Sequence, residues 1–196
     1  MNWKTLLCIA VVAYGAYHTW HKRAVSYPPG VIAPAEPLQT SVENHSVFSK
    51  KGYKIEPLAD FKIEARVLAT EHYHLGKFAD LIPVDLALGW GRMSDESILK
   101  DIEISQSNRF YFWHVDNFMM PREEIETHSA NMHMIPSSNA IEKTLNNVRV
   151  GQIISIKGYL VEATSAEGVH WRSSLTRNDT GAGACETIFV KSVSVR

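Results

Sequence analysis

The densest chemistry in this chain lies near its C-terminus, in the tract Trp171–Glu186, WRSSLTRNDTGAGACE. It gathers Arg172, Ser173, Ser174, Arg177, Asp179 and Cys185 around Gly181 and Gly183. Glycine admits positive φ, so consecutive backbone amides can converge on an anion. Arg172 and Arg177 add forked donors that suit a carboxylate or a phosphate. The tract therefore reads as a loop for a small anionic ligand. The plainer reading is that polar residues and glycine fill any β-connection. It is not a nucleotide P-loop, because GxxxxGK[ST] is absent and no helix is expected after it.

The same region supplies nucleophile candidates. Cys185 with His133 or His170 as base, and Asp179 to orient the ring, has the residue types of a thiol enzyme. Ser173 or Ser174 would need the same help, and no GxSxG elbow is present. His133, Ser173 and Cys185 are thus catalytic candidates with no role assigned. An inert Cys185 at the head of the last strand is the simpler expectation. The histidines give little support for a metal. His128 and His133 in HSANMH are five apart, which does not put two ligands on one helix face. His72 and His74 in EHYH would share a strand face but need a third ligand from elsewhere. No metal site and no cofactor is expected. In the run Phe110-Tyr111-Phe112-Trp113, alternation separates Phe110 and Phe112 from Tyr111 and Trp113. Such a strand either stacks bases or sugars, or has one face in the core and the other covered. Glu123-Glu124-Ile125-Glu126 reads as a solvated acidic face. The expected ligand site is Trp113, His133, Trp171, Arg172, Ser173, Ser174, Arg177 and Asp179.

Mostly strands must position these residues. In FKIEARVLAT, Phe61, Ile63, Ala65, Val67 and Ala69 alternate with Lys62, Glu64 and Arg66, the period of a half-buried strand. Lys54–Leu58 reads as another strand. Ala79–Asp95 is apolar, with Gly89 and Gly91 around Trp90, and reads as an irregular packed segment. Ser94 is set to cap a short helix, with Ser97 at its third position. Ser137-Ser138-Asn139 precede a short capped helix, Ala140–Asn147. Val150–Ala163 is the clearest strand, and Gly151 and Gly158 inside it suggest bends or a bulge. His170–Leu175 is a short strand, Ser173–Gly183 a loop, and Thr187–Val195 a closing strand. The fold class is mainly β with minor α.

The order of helix, long bent strand, loop and closing strand over Ala140–Val195 resembles an OB-like Greek-key barrel. On that likeness alone, single-stranded nucleic acid would be a partner, but a net charge of −1 makes nucleic acid an unlikely one. Three tracts, PVDLALGWGRMSD, HSANMHMIPSS and WRSSLTRNDTGAGACE, resemble those of bacterial membrane-anchored proteins of unknown function. That resemblance implies a membrane location and carries no activity.

The start of the chain agrees with a membrane location. Thr5–Trp20 holds no Asp, Glu, Lys or Arg and is flanked by Trp3, Tyr17 and Trp20, as interfacial anchors are. As a helix it would span roughly 24 Å, slightly short of a bilayer core of about 30 Å. It reads as an uncleaved signal anchor, or else as a signal peptide cleaved after Ala13-Tyr14-Gly15. Lys4 on one side and Lys22 and Arg23 on the other leave the positive-inside rule undecided. The expectation is a single-pass inner-membrane protein with its domain on the extracytoplasmic side, near envelope proteins. Residues 1–23 would be anchor or signal, 24–41 a Pro-rich linker acting as a spacer, and 42–196 one β-rich domain. Cys8 and Cys185 fall in different parts and are not expected to pair. No motif identifies an enzyme, so a non-enzymatic binding or assembly module leads. A hydrolase or transferase using a histidine with serine or cysteine is its rival.

Overall fold

The computed structural model describes residues 2–21, 23–42, 45–181 and 183–196. In chain order it has α1 (Trp3–His21), β1 (Leu38–Ser41), β2 (Phe48–Lys50), β3 (Tyr53–His72), β4 (Val84–Gly89), a 3-10 turn (Gly91–Ser94) and α2 (Glu96–Leu99). There follow β5 (Glu103–Ser107), β6 (Phe110–His114), α3 (Arg122–Thr127), β7 (Ser129–Pro136), α4 (Asn139–Asn146), β8 (Ile153–Thr164), β9 (His170–Arg172) and β10 (Glu186–Val195). The chain is mainly β, with 41% strand against 18% helix.

The N-terminal apolar segment forms α1, on which Trp3, Leu6, Leu7, Ile9, Val11 and Val12 are each exposed by half or more. Among the described residues no helix is long and apolar enough to cross a membrane. Tyrosine, glycine, histidine and threonine dilute the apolar run, so the expectation of a spanning helix gains no support here. Cys8 is exposed on α1 and Cys185 is half-buried in the domain, and both are free.

The stretch expected as a spacer instead lies along the domain. The Val25 amide donates to Val150 O (2.9 Å), and the Gly91 amide donates to Ala33 O (2.9 Å). Prolines keep this stretch out of regular structure, so side chains satisfy its amides. The Ser94 hydroxyl accepts from the Ile32 and Ala33 amides (3.1 and 3.0 Å), and Asp95 Oδ1 accepts from Gly30 (2.9 Å). Ser94 is therefore not the helix cap expected from its position. Asp95 caps α2, accepting from the Ser97 amide at 2.8 Å. Ser138 does cap α4, accepting from the Ile141 amide.

The two expected strands at Lys54–Leu58 and Phe61–Thr70 are one strand, β3. Its register slips between Pro57 and Ala59 against β8, and between Val67 and Ala69 against β4. Proline has no N–H to give a ladder, so the slip absorbs Pro57. β4 corrects the irregular segment expected at Ala79–Asp95. All six of its residues are buried, and a strand covered on both faces shows no alternation to read. β3 pairs with β4, β4 with β7 and β8 with β3, all antiparallel; β7 pairs with β10 in parallel, and β10 with β8 antiparallel. These pairings return to β3, forming a closed cycle of five strands.

One core cluster lies on the inner side of the cycle and includes Phe61, Ile63, Leu88, Met132, Ile156 and Ile188. A second lies outside β4 and β7, where Leu68, Ala87, Met93 and Ile125 meet Tyr111 and Trp113 of β6. The β5–β6 hairpin and α3 thus cover the sheet. The acidic run expected as a solvated face is α3, whose Ile125 is buried against that hairpin.

Gly158 carries the closure. It pairs with Phe61 of β3 on one side and Val190 of β10 on the other. A Cβ there would lie 2.0 Å from Phe189 O. Gly158→Ala is expected to lower stability by about 2–3 kcal/mol through overpacking. Urea unfolding checks this, and an unchanged midpoint would show that the β8–β10 seam tolerates the methyl.

Candidate functional site

Three strands bring polar side chains to one row on the outer side of the sheet. Asp85 of β4 and Thr187 of β10 both stand opposite His133 of β7. All three are buried: Asp85 and Thr187 are 0% exposed and His133 is 2%. Asp85 Oδ2, His133 Nδ1 and Thr187 Oγ1 have no hydrogen-bond partner, although buried polar atoms normally do. His133 Nδ1 lies 2.9 Å from Asp85 Oδ1, but without hydrogen-bond alignment. Arg109 supplies the charge that lets Asp85 stay buried. Its Nη1 donates to Asp85 Oδ1 (2.9 Å) and to Ile82 O (3.0 Å), and its guanidinium stacks 3.5 Å from the Tyr73 ring. Arg109 reaches there from the β5–β6 turn, where Asn108 and Arg109 both take positive φ. The Arg109 amide donates to Tyr73 Oη (2.9 Å), which holds that turn in place. The Trp171 ring meets His133 edge-on at 4.9 Å.

Over this row opens a first cleft of about 600 Å³, lined by Tyr73, Lys77, Arg109, His133, Trp171 and Arg172 among others. Its walls are the loop between β3 and β4, the β5–β6 turn, and strand β9 with the loop that leads from it to β10. Among the described residues, the lining holds three basic side chains, two histidines and no carboxylate. The balancing acids stand behind it. Asp85 holds Arg109, and Glu162 holds both Arg172 and His170. The Arg172 contact is the main reason the Glu162 carboxyl sits below its ordinary range.

Beyond Phe110 and Cys185, which line both, lies a second cavity of about 550 Å³. Phe112, Trp113, Phe118, Arg177, Asp179 and Glu186 contribute to its wall. Glu186 opposes Met132, so it turns to the core side of the sheet, where it is 1% exposed. Burial pushes its carboxyl up to about 8, against the pull of Arg177 Nε at 2.9 Å.

The expected site residues therefore divide. His133, Trp171 and Arg172 meet in the first cleft, and Trp113, Arg177 and Asp179 in the second cavity. Ser173 and Ser174 line neither. Ser173 Oγ donates to Ser174 O (2.7 Å) and accepts from the Thr187 amide (3.0 Å), so it shapes the loop. Ser174 Oγ is shared between Thr176 O and Asp179 Oδ2 (3.1 and 2.6 Å). Asp179 is thereby held by a serine rather than set beside a histidine. Cys185 lines the first cleft with His133, but burial pushes its thiol up to about 11. At neutral pH it is a thiol, not the thiolate that a nucleophile needs. His128 and His133 face different neighbours, Glu36 and Asp85. Among the described residues no three His, Cys, Asp or Glu side chains are grouped to hold a metal ion.

Asp85, Arg109, Tyr73, Lys77 and Glu186 were not singled out from the sequence. Asp85 had a signal: it is the one charge in the apolar run LIPVDLALG. Compared with known proteins, the chain matches no family model, no curated protein and no solved structure.

The raised Glu186 carboxyl makes stability depend on pH. Unfolded, the group ionises near 4.5, and folded near 8. Its contribution is complete below the unfolded value and is lost as pH rises through the folded one. Urea unfolding from pH 5 to pH 9 should show Glu186→Gln gaining stability over the parent as pH rises to 8, then levelling. Parallel pH profiles for the two proteins would refute this.

Proposed function

We propose that this chain is a membrane-tethered, non-enzymatic binding module that takes a small anionic ligand in the first cleft. The observation that carries this reading is the cleft's lining, with Lys77, Arg109 and Arg172 beside Tyr73 and Trp171 and, among the described residues, no carboxylate. Guanidinium forks recognise carboxylates and phosphates, and the aromatic faces suit a planar or apolar remainder.

The domain is read as an OB-like barrel. The cycle β3, β4, β7, β10 and β8, the parallel β7–β10 pair and α4 ahead of β8 all support that. In such barrels the loops joining strands one to two and four to five flank the ligand. Those correspond here to the loops that wall the cleft. Single-stranded nucleic acid is disfavoured as the occupant, because the outer side of β4 and β7 lies beneath the β5–β6 hairpin and the chain carries no net positive charge.

The tether is α1, whose exposed apolar side chains want a non-aqueous neighbour. This reading puts the domain on the extracytoplasmic side of the inner membrane, with envelope proteins at hand. It keeps the likeness to bacterial membrane-anchored proteins as part of the proposal.

One contact favours a second reading. The 2.9 Å approach of Asp85 to His133, with His133 on the cleft, has the parts of an acid–base pair. Calorimetric titration of the full chain in lipid nanodiscs, with inorganic phosphate and with succinate, separates the two. The binding reading expects an anion to bind, and the Lys77→Gln/Arg172→Gln double variant to bind it about tenfold more weakly. Absence of binding by either anion at ~10 mM sinks it. Turnover in a hydrolase panel, lost in His133→Gln at an unchanged melting temperature, would replace it with the acid–base reading.

A further inference from the structure

The second cavity has its own unmet chemistry. Most of its polar lining is already used. The Ser129 hydroxyl is taken by Ile125 O and Tyr111 Oη (both 2.6 Å), and Asp179 by Ser174. Glu126 Oε1 accepts from Arg122 Nε at 2.8 Å. Asn131 donates to Arg109 O (2.9 Å) and accepts from Gln106 Nε2 (2.6 Å). The buried part of the lining that is left is the ion contact of Arg177 Nε with Glu186 Oε1 at 2.9 Å. Arg177 Nε and Nη2 and Glu186 Oε2 are buried without a hydrogen-bond partner. Arg177 is fixed from behind by the Phe61 ring, 5.6 Å from its guanidinium carbon.

The opposite wall is apolar and uncovered. Phe112 and Phe118 are 53% and 54% exposed, although they stand in a cavity wall. Trp113 meets Phe118 edge-on at 6.2 Å, so the two rings form a corner. Exposed aromatic rings and buried, unsatisfied polar atoms in the lining of one cavity are the two halves of a small-molecule site.

We infer that this cavity binds a small molecule with a flat apolar body and a carbonyl-type acceptor head, an aromatic acid or an aromatic amide. Its head meets Arg177 and Glu186, and its body lies against Phe112, Trp113 and Phe118. The site does not depend on the anion cleft, with which it shares, among the described residues, only Phe110 and Cys185 as lining. A carboxylate head and a carboxamide head both accept from Arg177. Only the amide also donates, which an ionised Glu186 would require.

The test is calorimetric titration of the full chain in lipid nanodiscs, with empty nanodiscs as reference. The probes are 2-naphthoate and 2-naphthamide, with acetate and acetamide as heads lacking a body. At least one naphthyl compound is expected to bind with a Kd of about 1 mM or tighter, and the headgroup controls about tenfold more weakly. Two variants keep the test sound. Ala184→Phe fills the cavity and Phe112→Ser removes an exposed wall; each should weaken binding about tenfold while circular-dichroism melting stays close to the parent. If neither naphthyl compound binds, the unpartnered atoms are met by water alone and the inference is wrong. It is equally wrong if binding persists undiminished in both variants. Phosphate and succinate failing to bind while a naphthyl compound binds would end the anion-cleft reading and leave this one standing.

Discussion

A carboxylate with no access to water has to be neutralised or compensated, and Asp85 is such a carboxylate. It sits in a strand whose other residues are apolar or glycine, and Arg109 compensates it across 2.9 Å. That ion pair fixes the rest of the outer sheet surface. Arg109 belongs to the turn of the β5–β6 hairpin, so the pair pins the hairpin over β4 and β7. The pinned hairpin lays Tyr111 and Trp113 onto the second core cluster and leaves Phe110 and Phe112 turned outward. Phe110, beside Cys185, then separates the two cavities. Loss of Arg109 would strand a buried negative charge and also free the wall common to both sites.

The closed strand cycle sets where those sites open. β3 changes partners along its length, from β8 to β4, and the register slip at Val67–Ala69 falls where β4 takes over. The segment following α1 meets the domain at Val150, just before β8 begins. The loop that walls the cleft begins where β8 ends, 12 residues further on, roughly 40 Å along an extended strand. The cleft therefore opens at the far end of β8 from the point where the chain leaves α1. On the reading proposed above, in which α1 tethers the chain, the cleft would be presented away from the tethering surface.

Much of this was legible in the sequence, for a clear reason. β3, β8 and β10 carry alternation or a long β-branched run, and α4 has its serine cap, so local rules agreed with the fold. β4 and β7 were not legible. Both are buried on two faces, and an apolar run such as VDLALG has no period to read. The five-residue spacing of His128 and His133 argues against a helical ligand pair but does not reveal that Ser129–Pro136 is strand β7, which carries His133 outward beside Asp85. The loop Trp171–Glu186 was rightly seen as polar and crowded, yet its serines serve its own backbone. The partners that make the site, Asp85, Arg109 and Tyr73, come from distant parts of the chain. Pairing of this kind is set by the strand register, which one sequence does not display. Glu186 shows the same limit: only the register against Met132 turns it to the core side.

Burial also settles which chemistry the seam between the cavities favours. The same desolvation raises Tyr111 to about 12, Cys185 to about 11 and Glu186 to about 8. Tyrosine and cysteine are protonated near neutral pH in any case, so the group whose form burial changes there is Glu186, which it keeps uncharged. A protonated thiol is a poor nucleophile, and a protonated carboxyl is a donor rather than a base. The first cleft is lined instead by the basic side chains of Lys77, Arg109 and Arg172. The surface offered to a visitor is therefore one of donors and cations, lined with aromatic rings. Such a surface suits the acceptor groups and negative charge of the ligands proposed above.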